Sequence, residues 1–367
     1  MSAAAGTAAG VAAKEAARAD KAMVSIQYLR AIAALMVVLL HLGVQWQRLG
    51  YQGAWPGWLA GGVDVFFVIS GFIMWTTTAA RPTTPTDFYV RRIVRIVPLY
   101  WLLTILTVTI MLVAPQAVQS SRYDGWHTVA SFLFLPSVNA GTGQIEPVVI
   151  PGWTLNYEMF FYLLFGLTLR WREGWRLAAS ALALGAPVLW QAWTGKAGGI
   201  WLFYTSDIVL EFVLGMALGC AYAHGRLNPG RAAGWCLLAG GGVALAVCGG
   251  LGMSRLLTMG LPAAAILAGA LALERARAVP QWPWLQRLGD ASYSLYLLHP
   301  MVLSATVQLW RRGGWVNGLG AQLAYSALAL AAVIVAALIC YRGLEQPLTR
   351  ILSRRLRPVT RTRPAGP

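Results

Sequence analysis

Long apolar runs recur along this chain from residue 29 to residue 341, each close to the roughly 20 residues a helix needs to cross about 30 Å of hydrocarbon. The runs are continuously apolar, not alternating as in an outer-membrane barrel, so helices are the spanning element that satisfies its own backbone groups. Only 11% of the residues are charged, where a soluble globular chain is nearer about a quarter. The predicted fold class is therefore all-α: a polytopic membrane protein with about ten transmembrane helices. The runs place them at 27–47, 58–79, 98–116, 151–169, 175–193, 206–224, 233–252, 256–273, 290–310 and 320–341.

A net charge of +16 is compatible with a nucleic-acid partner, but its distribution points elsewhere. With the N-terminus inside, six of the 29 Lys and Arg residues fall outside: Arg48, Arg122, Lys196, Arg255, Arg311 and Arg312. The rest lie on the cytoplasmic side, which is the positive-inside rule along a whole chain. The basic excess orients the protein, puts both termini in the cytoplasm and needs no nucleic acid. Residues 1–22 lack an apolar signal core and read as a disordered cytoplasmic tail. Residues 23–345 form one membrane domain, and 346–367 form a basic cytoplasmic tail suited to an anionic inner leaflet. No internal repeat of the transporter kind is visible. The stretch 126–150 is too short and too loop-like to span, so it is expected to be a partly re-entrant outer segment. Cys220, Cys236, Cys248 and Cys340 lie in apolar runs without CxxC spacing, so they read as small buried hydrophobes, and no metal is expected.

Polar groups inside the apolar runs are costly and so tend to mark function. Arg30 opens the first run and His41 lies eleven positions on; that spacing is about three turns, which puts both on one face about 16 Å apart. Asp64, Glu158, Asp207, Glu211 and His299 occupy other spans. Groups of this kind on several helices must share a polar interior, as in a transporter or an intramembrane enzyme. The segment "RPTTPTDFYVRRIVRIVPLYW" then offers Arg91 or Arg92 with Arg95 at helical i, i+4 or i, i+3 spacing. Guanidinium forks bind phosphate oxygens. At the inner mouth of a polar interior containing a histidine, they fit a phosphate-tailed donor delivering a group to a buried base, although positive-inside anchoring accounts for the same arginines.

Five motifs in order resemble the acyltransferase 3 family of integral membrane proteins. They are Arg30-x10-His41, "GVDVFFVISGF" at 62–72, Arg92-x-x-Arg95, "WTLNYEMFFY" at 153–162 and "YSLYLLHP" at 293–300. The opening "VSIQYLRAIAALMVVLLH" is most similar to the exopolysaccharide-production subgroup. The resemblance implies an O-acyltransferase of the bacterial cytoplasmic membrane. It would move an acyl group, usually acetyl, from cytoplasmic acyl-CoA to a hydroxyl of an exopolysaccharide or its lipid-linked precursor. It also implies a catalytic His41 partnered by Arg30, with Arg92 and Arg95 in coenzyme A binding. No cofactor is expected to be permanently bound.

A histidine within hydrogen-bond reach can take the proton of an attacking sugar hydroxyl. The imidazolium so formed needs a counter-charge. Glu158 is expected near the acceptor entrance and Asp64 as an orienting carboxylate, with interhelical hydrogen bonding as the plainer reading of both. Trp153, Tyr157 and Trp126 are placed at the outer mouth, as a sugar platform or as an interfacial aromatic belt. Tyr293, Tyr296 and His299 fall within two turns and are read as lining for the pantetheine arm. Alternatively His299 is a core histidine bonding a carbonyl freed by Pro300. Glu345, Arg342 and Arg350 read as an interfacial charge cluster. Two further classes stay open: O-acetylation of lipopolysaccharide or peptidoglycan, and a non-enzymatic exporter of lipid-linked sugars.

Overall fold

The structure is a computed structural model that describes residues 23–81, 83–117, 122–314 and 318–356. The tail expected at 1–22 and the end of the one expected at 346–367 lie outside the described residues. The described chain is helical, with one isolated bridge between Val138 and Ile145. Its helices are α1 (Val24–Arg48), α2 (Gly61–Ala80, entered through a 3-10 turn Gly57–Ala60), α3 (Pro85–Val113), α4 (Gly125–Phe132), α5 (Trp153–Thr168), α6 (Glu173–Thr194), α7 (Leu210–Ala223), α8 (Gly230–Cys248), α9 (Leu261–Arg275), α10 (Pro283–Asp290), α11 (Ser292–Arg312), α12 (Leu319–Cys340) and α13 (Gln346–Arg355). π-helical turns at Leu256–Gly260 and Tyr341–Glu345 lead into α9 and join α12 to α13.

Among the described residues, seven helical stretches are long and apolar enough to cross a membrane. The three other expected spans are helical but fall short of that measure. α5 has 16 residues, and α6 and α11 are long enough but carry more polar and aromatic side chains. The segment expected as a cytoplasmic loop with a short helix, followed by a span from 98, is instead one helix of 29 residues, α3. Its start is written locally: Thr84 caps the Asp87 amide at 3.1 Å with Pro85 in the first turn. A helix of that length runs about 43 Å, so Arg91, Arg92 and Arg95 ride on its first turns, rigidly continuous with the apolar part.

Small residues set the packing. A Cβ on Gly71 would sit 2.1 Å from the Phe212 carbonyl oxygen, and one on Gly215 equally close to that of Val68, so α2 and α7 meet backbone to backbone. Ala31, Ala33 and Ala34 of α1 are fully buried; Ala31 and Ala34 belong to a core shared with α11 and α12. An aromatic core of Phe67, Trp75, Phe88, Phe161, Phe165 and Phe212 joins α2, α3, α5 and α7. The segment after α3, expected as a partly re-entrant outer one, forms α4 and a packed loop. Ser131 accepts from the Val148 amide at 3.0 Å, and Tyr100 of α3 donates to the Ser131 carbonyl at 3.1 Å. His127 is buried against Ser137. Burial pushes its imidazole below the ordinary histidine range, against the pull of Asp124.

The four cysteines are unpaired thiols. Cys340 alone among them is buried, whereas Cys220 and Cys248 are partly exposed and Cys236 is exposed, a correction to the buried reading. The physical reason is that a lipid-facing helix surface admits a thiol as readily as a core does.

Candidate active site

A cavity of ≈ 240 Å³ opens between α1, α2, α3, α5 and α11. Its polar lining comes from Arg30, Arg92, Arg95, Glu158, Ser70 and Tyr162, with Tyr293 and Tyr296 of α11 along one wall. Of the three arginines of α3, Arg92, partly buried, and Arg95, exposed at the rim, line it; Arg91, also exposed, does not. The i, i+3 pair is therefore the one that faces inward. The Arg92 guanidinium lies over the rings of Phe88 and Tyr162, 5.8 and 5.9 Å from their centroids, and its Nε is buried without a hydrogen-bond partner. Arg30 is held by Gln27 Oε1 at 3.3 Å. Among the described residues none of the three cavity arginines forms an ion pair with a carboxylate.

Glu158 belongs to this cavity. Its Oε1 accepts from Ser70 Oγ at 3.0 Å and from the Tyr162 hydroxyl one turn along α5. The expectation that Glu158 stands at an outer acceptor entrance as the histidine's counter-charge gives way to that placement. Asp64, fully buried, is already matched: Arg255 Nε and Nη2 donate to its two oxygens at 2.9 and 2.7 Å. Arg255, expected as an outer-loop charge, reaches inward through the π-helical turn beside it. Asp207 accepts from Ser254 Oγ at 2.5 Å and the Leu256 amide at 3.1 Å on the same turn. Glu211 is fully buried beside Gly260 with both carboxyl oxygens unpartnered.

The histidine expected at the chemistry has a partner no spacing rule named. His41 Nδ1 lies 2.9 Å from the Val37 carbonyl oxygen and 3.3 Å from His299 Nε2. The two rings are 4.9 Å apart between centroids and inclined by 59°. His299 is fully buried, with Nδ1 2.7 Å from the Tyr296 carbonyl oxygen. The reading of His299 as a histidine bonding the carbonyl freed by Pro300 describes this geometry. The reading as cavity lining does not, because each three-residue step turns a helix by about −60°. Tyr293 and Tyr296 face the cavity and His299 has rotated off it. Tyr296 is shared: its hydroxyl accepts from Thr154 Oγ1 at 3.0 Å and its ring packs on Phe66 and His299.

Two residues expected at the outer mouth separate. Trp153 stays half-buried at the start of α5, whereas Tyr157 is buried and stacked on Phe203 at 3.7 Å between centroids. The Tyr157 ring face is thereby taken, which argues against a sugar platform there. Trp126 is 64% exposed. Glu345, expected in an interfacial cluster, is instead buried and accepts from Ser294 Oγ at 2.6 Å; the π-helical turn directs it inward. Ser70, Tyr162 and Thr154 were not singled out from the sequence. Tyr162 follows Glu158 by four residues on one helix, a spacing that could have flagged it; the contact of Ser70 with α5 left no local signal.

An acyltransferase domain profile matches residues 23–341, nearly the whole described chain. The chain belongs to the acyltransferase 3 family. This membership makes the protein an acyltransferase and removes the exporter alternative. Among its relatives is an exopolysaccharide production protein, ExoZ, of Rhizobium meliloti, 38% identical over 79% of this chain and 90% of that protein. The acyltransferase MdmB of Streptomyces mycarofaciens is 30% identical over 91% of this chain and 93% of its own length. The peptidoglycan O-acetyltransferase OatA of Listeria monocytogenes is 23% identical over 56% of this chain and 35% of its length. No solved structure matches the chain.

Proposed function

We propose that this acyltransferase 3 protein is a ten-span O-acetyltransferase of the bacterial cytoplasmic membrane, with both termini in the cytoplasm. It takes its acyl group from cytoplasmic acyl-CoA and delivers it to a hydroxyl of an exopolysaccharide or its lipid-linked precursor. The observation that carries this reading is the cavity holding three arginines without carboxylate partners, one with a buried, orphaned donor. An unmatched guanidinium in a partly buried site favours a multiply charged anion, and its fork suits phosphate oxygens. Arg92 and Arg95, near the basic start of α3, receive the nucleotide end, and Arg30 sits between them and the first span's histidine. Glu158, held by Ser70 and Tyr162, offers an acceptor within the same cavity. The pantetheine arm then runs along Tyr293 and Tyr296 toward His41.

In the reaction His41 takes the proton of the acceptor hydroxyl as its oxygen attacks the thioester carbonyl. The carbon–sulfur bond breaks and the leaving sulfur takes the proton back, giving an ester and free thiol. The acceptor reaches His41 from the outer side, where Glu146 of the packed outer loop lies within electrostatic reach of the ring. Similarity over 79% of the chain to an exopolysaccharide production protein, against 56% for the peptidoglycan enzyme, supports that acceptor class over peptidoglycan.

The test is sided transfer. In sealed right-side-out vesicles, radiolabelled acetyl-CoA is expected to acetylate external glycan when loaded inside. Equal labelling with donor supplied only outside intact vesicles would overturn the arrangement.

A further inference from the structure

We infer that His299 is a positioning residue that sets the tautomer of His41 and shares the proton charge His41 acquires, in the place a carboxylate holds in hydrolytic triads. The inference rests on the proposed base role of His41.

The hydrogen-bond network assigns the protons. The Tyr296 carbonyl can only accept, so Nδ1 of His299 carries hydrogen and its Nε2 presents a lone pair. The Val37 carbonyl can likewise only accept, so Nδ1 of His41 carries hydrogen, shared between Val37 at 2.9 Å and His299 Nε2 at 3.3 Å. What remains is Nε2 of His41, unprotonated and free to act as the base. His41 is partly exposed and His299 fully buried, so the pair has one working end and one anchored end.

The anchoring is built into α11. Pro300 has no amide hydrogen, so the carbonyl four residues earlier, that of Tyr296, lacks its helical donor. The His299 side chain supplies one instead. Pro300 thus frees the acceptor that fixes His299, which in turn fixes His41.

The charge logic points the same way. Asp64 is matched by Arg255, and Glu158 by Ser70 and Tyr162 among the cavity arginines. Glu146 faces His41 from the outer loop, held by Thr142 and Asn139, without a hydrogen bond to the ring. No carboxylate touches His41 among the described residues. A neutral imidazole behind the base keeps the resting site uncharged in an apolar interior. When the hydroxyl proton enters at Nε2 of His41, the positive charge extends through Nδ1–H to His299 Nε2, and through His299 Nδ1–H to the Tyr296 carbonyl. The proton leaves again from Nε2 to the departing sulfur, so His299 is unchanged over the cycle.

Steady-state acetyl transfer by purified protein in liposomes tests this with three variants. His299→Phe is expected to lower kcat about 100-fold, within the span for general-base assistance, with the KM for acetyl-CoA unchanged. His299→Gln keeps an acceptor toward His41 and a donor toward Tyr296, so it is expected to recover part of kcat. Pro300→Ala restores the competing amide and is expected to raise thermal stability yet lower kcat about 3- to 10-fold, the scale of one hydrogen bond. A raised donor KM with unchanged kcat in His299→Phe would make His299 donor lining and overturn the inference. So would a Pro300→Ala variant with full kcat. If His41→Ala in the same assay stays active, the base assignment itself fails. If it is inactive while His299→Phe turns over normally, only the role of His299 fails.

Discussion

Replacing Arg255 by Met leaves Asp64 as an unmatched carboxylate with no exposed surface, because the two charge-assisted bonds at 2.7 and 2.9 Å disappear together. Breaking a buried pair from one side costs about 3–5 kcal/mol, and the lower end applies because the Arg255 side chain is 31% exposed and water relaxes part of the field. About 3 kcal/mol is roughly a hundredfold in the folded ratio. Asp64→Leu should cost less, since the freed guanidinium can turn to Glu211, whose oxygens are unpartnered, or to Asp207. The double variant Asp64→Leu with Arg255→Met removes both charges and should return most of the loss, as buried pairs replaced by apolar residues commonly do. The assay is the fraction of purified protein remaining monodisperse after graded heating in detergent, with acetyl transfer measured on the survivors. The expected order of stability is wild type, double variant, Asp64→Leu, then Arg255→Met. Transfer by the double variant should be retained, because Asp64 is spent on Arg255 and not on His41. A double variant no more stable than Arg255→Met would refute the pairing argument. A stable double variant without activity would return Asp64 to the chemistry.

Arg92→Ala and Arg95→Ala are each expected to raise the KM for acetyl-CoA about tenfold or more at similar kcat, with Lys restoring only part because it lacks the fork; collapsed kcat at unchanged donor KM would contradict the docking role. His41→Ala should abolish transfer, while the lost interhelical contact costs only about 0.6 kcal/mol; near-normal turnover of the folded variant would sink the base assignment. Gly71→Leu should prevent stable folding, because its Cβ would fall 2.1 Å from the Phe212 carbonyl oxygen and backbone cannot yield there as a side chain can; normal yield and thermal stability would show that α2 and α7 do not approach as described.

The sequence alone determined the class of fold, the positions of the long helices and the residues worth watching. Apolar runs are a one-dimensional property: length and composition decide whether a helix suits hydrocarbon, whatever it packs against. The same holds for Arg30 and His41, whose shared helix face follows from spacing alone. What spacing cannot encode is which faces of different helices meet. Arg255 finds Asp64 across 191 residues, and His299 finds His41 across 258. The sequence offered both Asp64 and Glu158 as counter-charges for His41, one orienting and one near the acceptor, because every intramembrane carboxylate looks unmatched until its neighbours are known. Tertiary packing decided among them. It brought glycines into backbone contact, turned Arg255 and Glu345 inward beside π-helical turns, and set a second histidine behind the first. In an apolar interior a charge is worth what its nearest partner makes it, and nearness between helices is a property of the folded chain.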